Sequence, residues 1–149
     1  MPSLDWNQRT WNTSHEWPEA GEEWSHAWGS ADMQWYGTIL PRLQRYLPAR
    51  HILEIAPGHG RWTQFLAASS KHLTAVDLSG GCIEHCRKRF AGMDAMEFHV
   101  GDGRSLPMIG DASVDLVFSF DSLVHVELDV IHDYLAEIAR VLAPAGIAF

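Results

Sequence analysis

Acids and small residues recur at four places where an apolar run breaks off. Glu54, Ala56, Gly58 and Gly60 fall in "ILEIAPGHGRW", Asp77 in "AVDLS", Asp102 and Gly103 in "VGDGRS", and Asp121 and His125 in "FSFDSLVHV". Glycines let a backbone approach a ligand closely, and carboxylates accept hydrogen bonds from hydroxyls and amines. A histidine titrates near neutrality and can take up a proton. The glycine turn suggests a phosphate cradle, which the neighbouring residues exclude. No Gly-Lys-Ser/Thr follows as a P-loop requires, and in a G-x-G-x-x-G dinucleotide turn the third glycine's position is held by Thr63, after Trp62. Cys82 and Cys86 lie on one helical face in "GCIEHCRKRF", with His85 between them. A structural zinc site needs four ligands and no second pair stands out, so the thiols read as helix packing and no metal is expected.

The elements that must position these residues follow from the hydrophobic pattern. "HILEIA" (51–56), "HLTAVDL" (72–78), "MEFHVGD" (96–102) and "SVDLVFSF" (113–120) read as buried strands. Helical spacing appears in 31–47, with a kink at Pro41, in 61–70, after a capping Ser79, and in 128–142. The last of these turns Ile131, Tyr134, Leu135, Ile138, Val141 and Leu142 inward, "APAG" stops it, and "IAF" opens a fifth strand. Strands alternating with helices predict an α/β fold, a three-layer Rossmann-like sandwich around a mainly parallel sheet. Ligands of such sheets bind beyond the carboxyl ends of the strands, where all four stretches fall.

At 149 residues the chain is long enough for one domain with a core. Six of its seven tryptophans lie in residues 1–35, so we divide it into a Trp-rich helical extension or lid (1–48) and a core (49–149). Trp24, Trp28 and Trp35 can share a helical face docked over the sheet. A formal net charge of −8 makes nucleic acid an unexpected partner. No apolar run is long enough for a membrane span and the N-terminus has no apolar signal core, a cytoplasmic pattern.

Taken together, the motifs resemble the class I S-adenosylmethionine (SAM)-dependent methyltransferases over about residues 38–149. "LEIAPGHGRWT" is similar to the first motif of that family, with Ala56 where glycine is usual; "AVDLS" resembles the second, "VGDGRSLP" the third, "VDLVFSFDSLVHV" the fourth, and "IARVLAPAG" the family's "RVLKPGG" turn. The resemblance implies a SAM pocket. Gly58 and Gly60 would admit the amino-acid end of the ligand, and Glu54 would shape the loop and place its cationic group. Asp77 would accept the ribose hydroxyls, beside Leu78. Asp102 would accept from the adenine amine, and Gly103 would offer a backbone amide. Ala56, Trp62 and Phe120 would line the pocket, and Trp35 would reach it from the preceding helix.

For a hydroxyl acceptor such an enzyme needs a general base, and His125, Asp121 and His59 are candidates. Leaders similar to "GEEW…WG…QW" precede this core in bacterial methyltransferases, some acting in polysaccharide or glycolipid synthesis, which implies a small-molecule, glycan or glycolipid acceptor. The family's last strands are missing after Phe149, so the resemblance also implies an exposed sheet edge and a homo-oligomer formed through it. Two other readings stay open: a SAM-binding fragment without turnover, and an NAD-dependent oxidoreductase domain, whose ribose Asp77 would suit equally well.

Overall fold

The computed structural model describes residues 2–149. Five strands form one sheet: β1 (Ala49–Ile55), β2 (Ser70–Asp77), β3 (Met96–Val100), β4 (Val114–Phe118) and β5 (Leu142–Ala148). Every pairing is parallel, in the order β3-β2-β1-β4-β5. The chain builds outward from β1 on one side and then, after β3, on the other, so β1 and β4 flank the point where strand order reverses. A crevice opens there, beyond the strand ends.

Helices cover both faces. They are α1 (Leu4–Arg9), α2 (Ala31–Gln34), α3 (Leu40–Leu43), α4 (Thr63–Ala67), α5 (Gly80–Arg89) and α6 (Leu128–Val141). On one face Ile52, Leu73, Leu116 and Phe118 pack against Trp35, Ile39, Leu43 and Leu66; on the other Leu53, Ile55, Val76 and Val117 meet Val130, Tyr134, Ile138 and Val141. A strand buried on both faces must be apolar at consecutive positions, which is why Ile52–Ile55 is a continuous run with only Glu54 interrupting it.

Several boundaries differ from the sequence reading. The 61–70 helix shortens to α4 because β2 already starts at Ser70. In α6 the buried stripe is Val130, Tyr134, Ile138 and Val141, and Leu135 is 57% exposed. Tyr134, Ile138 and Val141 face inward as expected, while Val130 takes the place expected for Ile131 and Leu135 turns outward. "APAG" lies within β5: Val114 pairs with Leu142 and Leu116 with Ile147, so the extra residues bulge out between these pairs. The helical stretch 31–46 is continuous, with a π-type turn, Trp35–Ile39, just before Pro41. That widened turn accommodates a residue with no amide proton to give.

The tryptophans are arranged differently from the expected single face. Trp24 and Trp28 sit in a separate 3-10 turn (Glu22–Trp28) that ends at Gly29 with φ 93°, while Trp35 belongs to the next helical stretch. Trp24 and Trp28 are 42% and 50% exposed; Trp35 is 2% exposed.

Ser79 caps α5 as its position suggested. Its Oγ accepts from the Cys82 amide at 3.1 Å and donates to Asn12 Oδ1 at 3.1 Å, so the cap also ties down the N-terminal segment. Ser79→Ala is expected to cost about 1 kcal/mol, seen as a lower urea midpoint at unchanged slope. Cys82 and Cys86 are buried free thiols on the inner side of α5, and burial pushes Cys82 up to about 12. Cys86 packs inward and its Sγ donates to the Gly58 carbonyl at 3.3 Å, while Cys82 also lines the crevice beyond the strand ends.

Candidate active site

A cavity of ≈ 370 Å³ lies at the reversal point, within the range of small-molecule sites. Its floor is the turn after β1. Ala56 and Gly58 have φ of 58° and 57°, and Gly60 has φ 89°. Ala56 thus occupies the left-handed region that disfavours a side chain, which is where a glycine would relax the backbone. At Gly60 a Cβ would come within 2.6 Å of the Phe90 ring, and at Gly58 within 2.8 Å of Trp17. The first contact locks the turn onto α5. The second keeps the turn's upper surface in contact with the N-terminal segment.

Asp77 ends β2 on the cavity wall, 8% exposed. Its Oδ2 accepts the Gly58 amide at 3.1 Å and its Oδ1 the Ser79 amide at 2.8 Å. Burial nevertheless pushes its carboxyl up to about 6. A carboxylate offers about four lone-pair sites, so acceptor capacity remains after these two bonds.

Glu54 lies beneath the turn, 2% exposed, and does not line the cavity. Its Oε2 accepts the Thr63 hydroxyl at 2.6 Å, and burial raises its carboxyl to about 8. From there it braces the start of α4 and so the turn above it.

The other expected residues divide into two groups. Ala56, Gly58, Trp62, Leu78, Gly103, Phe120, Asp121 and His125 all line the cavity. Trp62 Nε1 is buried with no partner in the protein, an unsatisfied donor on a cavity-lining residue. Trp35, Gly60 and Asp102 do not line it; Gly60 turns toward Phe90 instead. The Trp35 ring is inside the core, stacked on Phe65 at 5.0 Å and near Trp62 at 6.3 Å, because the π-type turn carries it under the sheet. The exposed Asp102 carboxylate closes its own turn, accepting the Arg104 amide at 2.8 Å and the Ser105 amide and hydroxyl at 2.7 Å.

At the far wall, Asp121 has φ 62° and pairs with Arg61 at 3.0 Å. His125 is exposed toward the cavity mouth; its carbonyl accepts from Asn7 Nδ2 at 2.8 Å and its ring lies 5.6 Å from Trp11. His59, between the glycines, is sandwiched by Trp17 at 4.1 Å and His85 at 3.8 Å. Burial, with the His85 and Arg89 charges, pushes it down to about 4.

Sequence reasoning offered an extension or lid without saying which residues would face the cavity as its roof. Trp11, Trp17 and Trp24 line the cavity and pack on one another, with ring centroids 5.2–6.1 Å apart. Asn7 and Arg61 were overlooked. Asn7, 3% exposed, accepts from Trp11 Nε1 at 2.9 Å while bonding the His125 carbonyl. The tryptophan density was visible in the sequence, but nothing there separated a wall from a docked helix.

Residues 52–146 match the model of the methyltransferase domain. This chain belongs to that methyltransferase family. The family takes its methyl group from SAM. A demethylmenaquinone methyltransferase from Clavibacter sepedonicus is 39% identical over 95 residues, covering 64% of this chain and 38% of the relative. This methyltransferase chain thus spans less than two fifths of that relative's length. Among solved structures, the PH0226 protein of Pyrococcus horikoshii OT3 superposes with a TM-score of 0.67 at 27% identity, covering 94% of this chain and 60% of the other. The phosphoethanolamine N-methyltransferase 1 of Haemonchus contortus, in complex with phosphoethanolamine and S-adenosylhomocysteine, superposes with a TM-score of 0.62 at 26% identity, covering 67% of this chain and 21% of the other.

Proposed function

We propose that this chain binds SAM across the Ala56–Gly60 turn and Asp77, and directs methyl transfer to oxygen of a small-molecule or glycan acceptor. The observation that carries the reading is the meeting of a left-handed glycine turn and a buried carboxylate on one cavity at the reversal point of the sheet. SAM supplies an electrophilic methyl group on a sulfonium. Gly58 lets the backbone of the turn face the amino-acid end, Gly60 gives the turn its close packing on Phe90, and Asp77 has acceptor capacity for the ribose diol.

The remaining steps belong to the acceptor side. Residues 1–48 act as a lid whose Trp11, Trp17 and Trp24 keep water from the reacting centre and offer flat faces to a ring or sugar. A hydroxyl acceptor must lose a proton, and His125 and Asp121 stand at the end of β4 to take it. Burial favours the neutral form of His59 so strongly that it is a poor base at neutral pH. Alignment of acceptor, methyl and leaving sulfur is the main contribution asked of the protein.

Calorimetry with S-adenosylhomocysteine (SAH), SAM and NAD tests the cofactor. SAH and SAM should bind and NAD should not; NAD binding without SAH binding would return the oxidoreductase reading. Methyl release on a panel of glycans and phenols then separates a working enzyme from a binding fragment. His125→Ala is expected to keep SAH affinity and to lower turnover roughly tenfold. That is less than the roughly 10²-fold or more of a sole base, because Asp121 faces the same space. Loss of SAH binding in this variant would instead mark His125 as structural.

A further inference from the structure

Among the described residues, Arg61 is the only lysine or arginine on the cavity wall. It is 4% exposed and touches three parts of the chain at once. As the residue after Gly60, it extends the glycine turn. Toward β4 its guanidinium donates to Asp121 Oδ2 at 3.0 Å. Toward the N-terminal segment it donates to Ser25 Oγ at 3.1 Å and lies 5.5 Å from the Trp24 ring, and the Trp62 ring lies 4.4 Å from it. Ser25 is itself fully buried and donates on to Gln34 Oε1 at 2.8 Å. One chain of hydrogen bonds therefore runs from α2 through Ser25 and Arg61 to Asp121.

The Asp121 end of this chain is held against its own preference. Its backbone lies at φ 62°, in the left-handed region that non-glycine residues occupy at a cost. Its side chain is 52% exposed against 5% for Arg61, so one end of the pair is embedded and the other faces the opening. Among the described residues, Arg61 is the one hydrogen-bond partner of this carboxylate. The fixed fork of its guanidinium orients the carboxylate and leaves another N–H for Ser25.

We propose that Arg61 is a positioning residue: it aims the Asp121 carboxylate at the cavity mouth and clamps the tryptophan wall to the same point, so that a bound ligand leaves only when this pair opens. The inference rests on the SAM reading for its choice of ligand. An arginine suits the task because its fork can bond Asp121 and Ser25 together while its face lies near aromatic rings. A lysine keeps the charge and loses the fork.

Tryptophan fluorescence in a stopped-flow instrument, with SAH as the probe, follows ligand release directly. Arg61→Met should release SAH roughly tenfold faster than the wild type, since loss of a half-buried charge pair appears in the off-rate. Arg61→Lys should fall between the two. In an Asp121→Ala background the Met substitution should add a smaller increment, because the pair is already broken and only the Ser25 and ring contacts remain to be lost. An off-rate within about twofold of wild type in Arg61→Met, or an undiminished increment beside Asp121→Ala, overturns the proposal, even where thermal stability has dropped. Should the Met variant fail to fold, Arg61→Lys carries the comparison, and wild-type release in that variant overturns the proposal equally. Absence of SAH binding to the unsubstituted chain is a different result, visible before any variant is made, and it removes the SAM reading itself.

Discussion

Asp77→Ala is expected to weaken SAH binding by about a hundredfold or more. Two charge-assisted hydrogen bonds to a ribose diol are worth about 1.5–3 kcal/mol each, so the loss of both exceeds a factor of ten comfortably. A second effect adds to this. The Gly58 and Ser79 amides lose the oxygens they now donate to at 3.1 and 2.8 Å, and the glycine turn loses its tie to β2. Asp77→Asn separates the two contributions. The amide keeps the size and one acceptor oxygen, so it should retain much of the turn and still bind SAH more weakly than wild type. The measurements are calorimetric affinity and the shift of the melting temperature on adding SAH, which grows with ligand excess over Kd. Binding of SAH to Asp77→Ala within about threefold of wild type would remove this residue from the site.

Glu54→Gln should change how stability depends on pH. In the folded chain the Glu54 carboxyl is raised by burial to about 8 from an ordinary 4.5, with the Thr63 hydroxyl opposing the shift. The folded state therefore holds a proton that the unfolded chain releases. Its contribution is fully present below about 4.5 and is lost as pH rises through about 8. At about 1.4 kcal/mol per unit, the full change amounts to as much as about 5 kcal/mol, an upper bound because water reaches opened structures. Asp77, raised to about 6, adds a smaller loss of the same sign. Glutamine stays neutral and still accepts from Thr63. The variant should match the wild type near pH 5 and exceed it by several kcal/mol near pH 8 in urea unfolding. Parallel pH profiles for the two proteins would show that Glu54 is ionised in the folded state.

These two residues also show how much of the site was legible. Asp77 could be read because an acid that closes a strand of a parallel sheet stands at the carboxyl edge, where the glycine turn of the first strand also ends. Glu54 could be found but not located. An acid inside "ILEIA" had to be buried, yet only the structure puts it under the turn, bonded to Thr63 and outside the cavity. Trp35 and Asp102 lie outside the cavity for local reasons, one turned inward by a π-type turn and the other engaged by the amides and hydroxyl that follow it. Neither event has a signature at the level of residue type.

By itself the sequence determined the alternating α/β fold, the parallel sheet and the four strand ends that surround the cavity. Those features follow from hydrophobic period and from turn residues, which act over a few neighbouring positions. Which residues form the roof, and what holds them there, was decided only by tertiary structure. Arg61 meets Asp121 across 60 positions and Ser25 across 36, and Asn7 meets the His125 carbonyl across 118. Such contacts depend on how whole elements dock. A buried guanidinium or amide then takes whichever oxygen docking brings within reach, because leaving it unpaired costs more than any local preference it overrides.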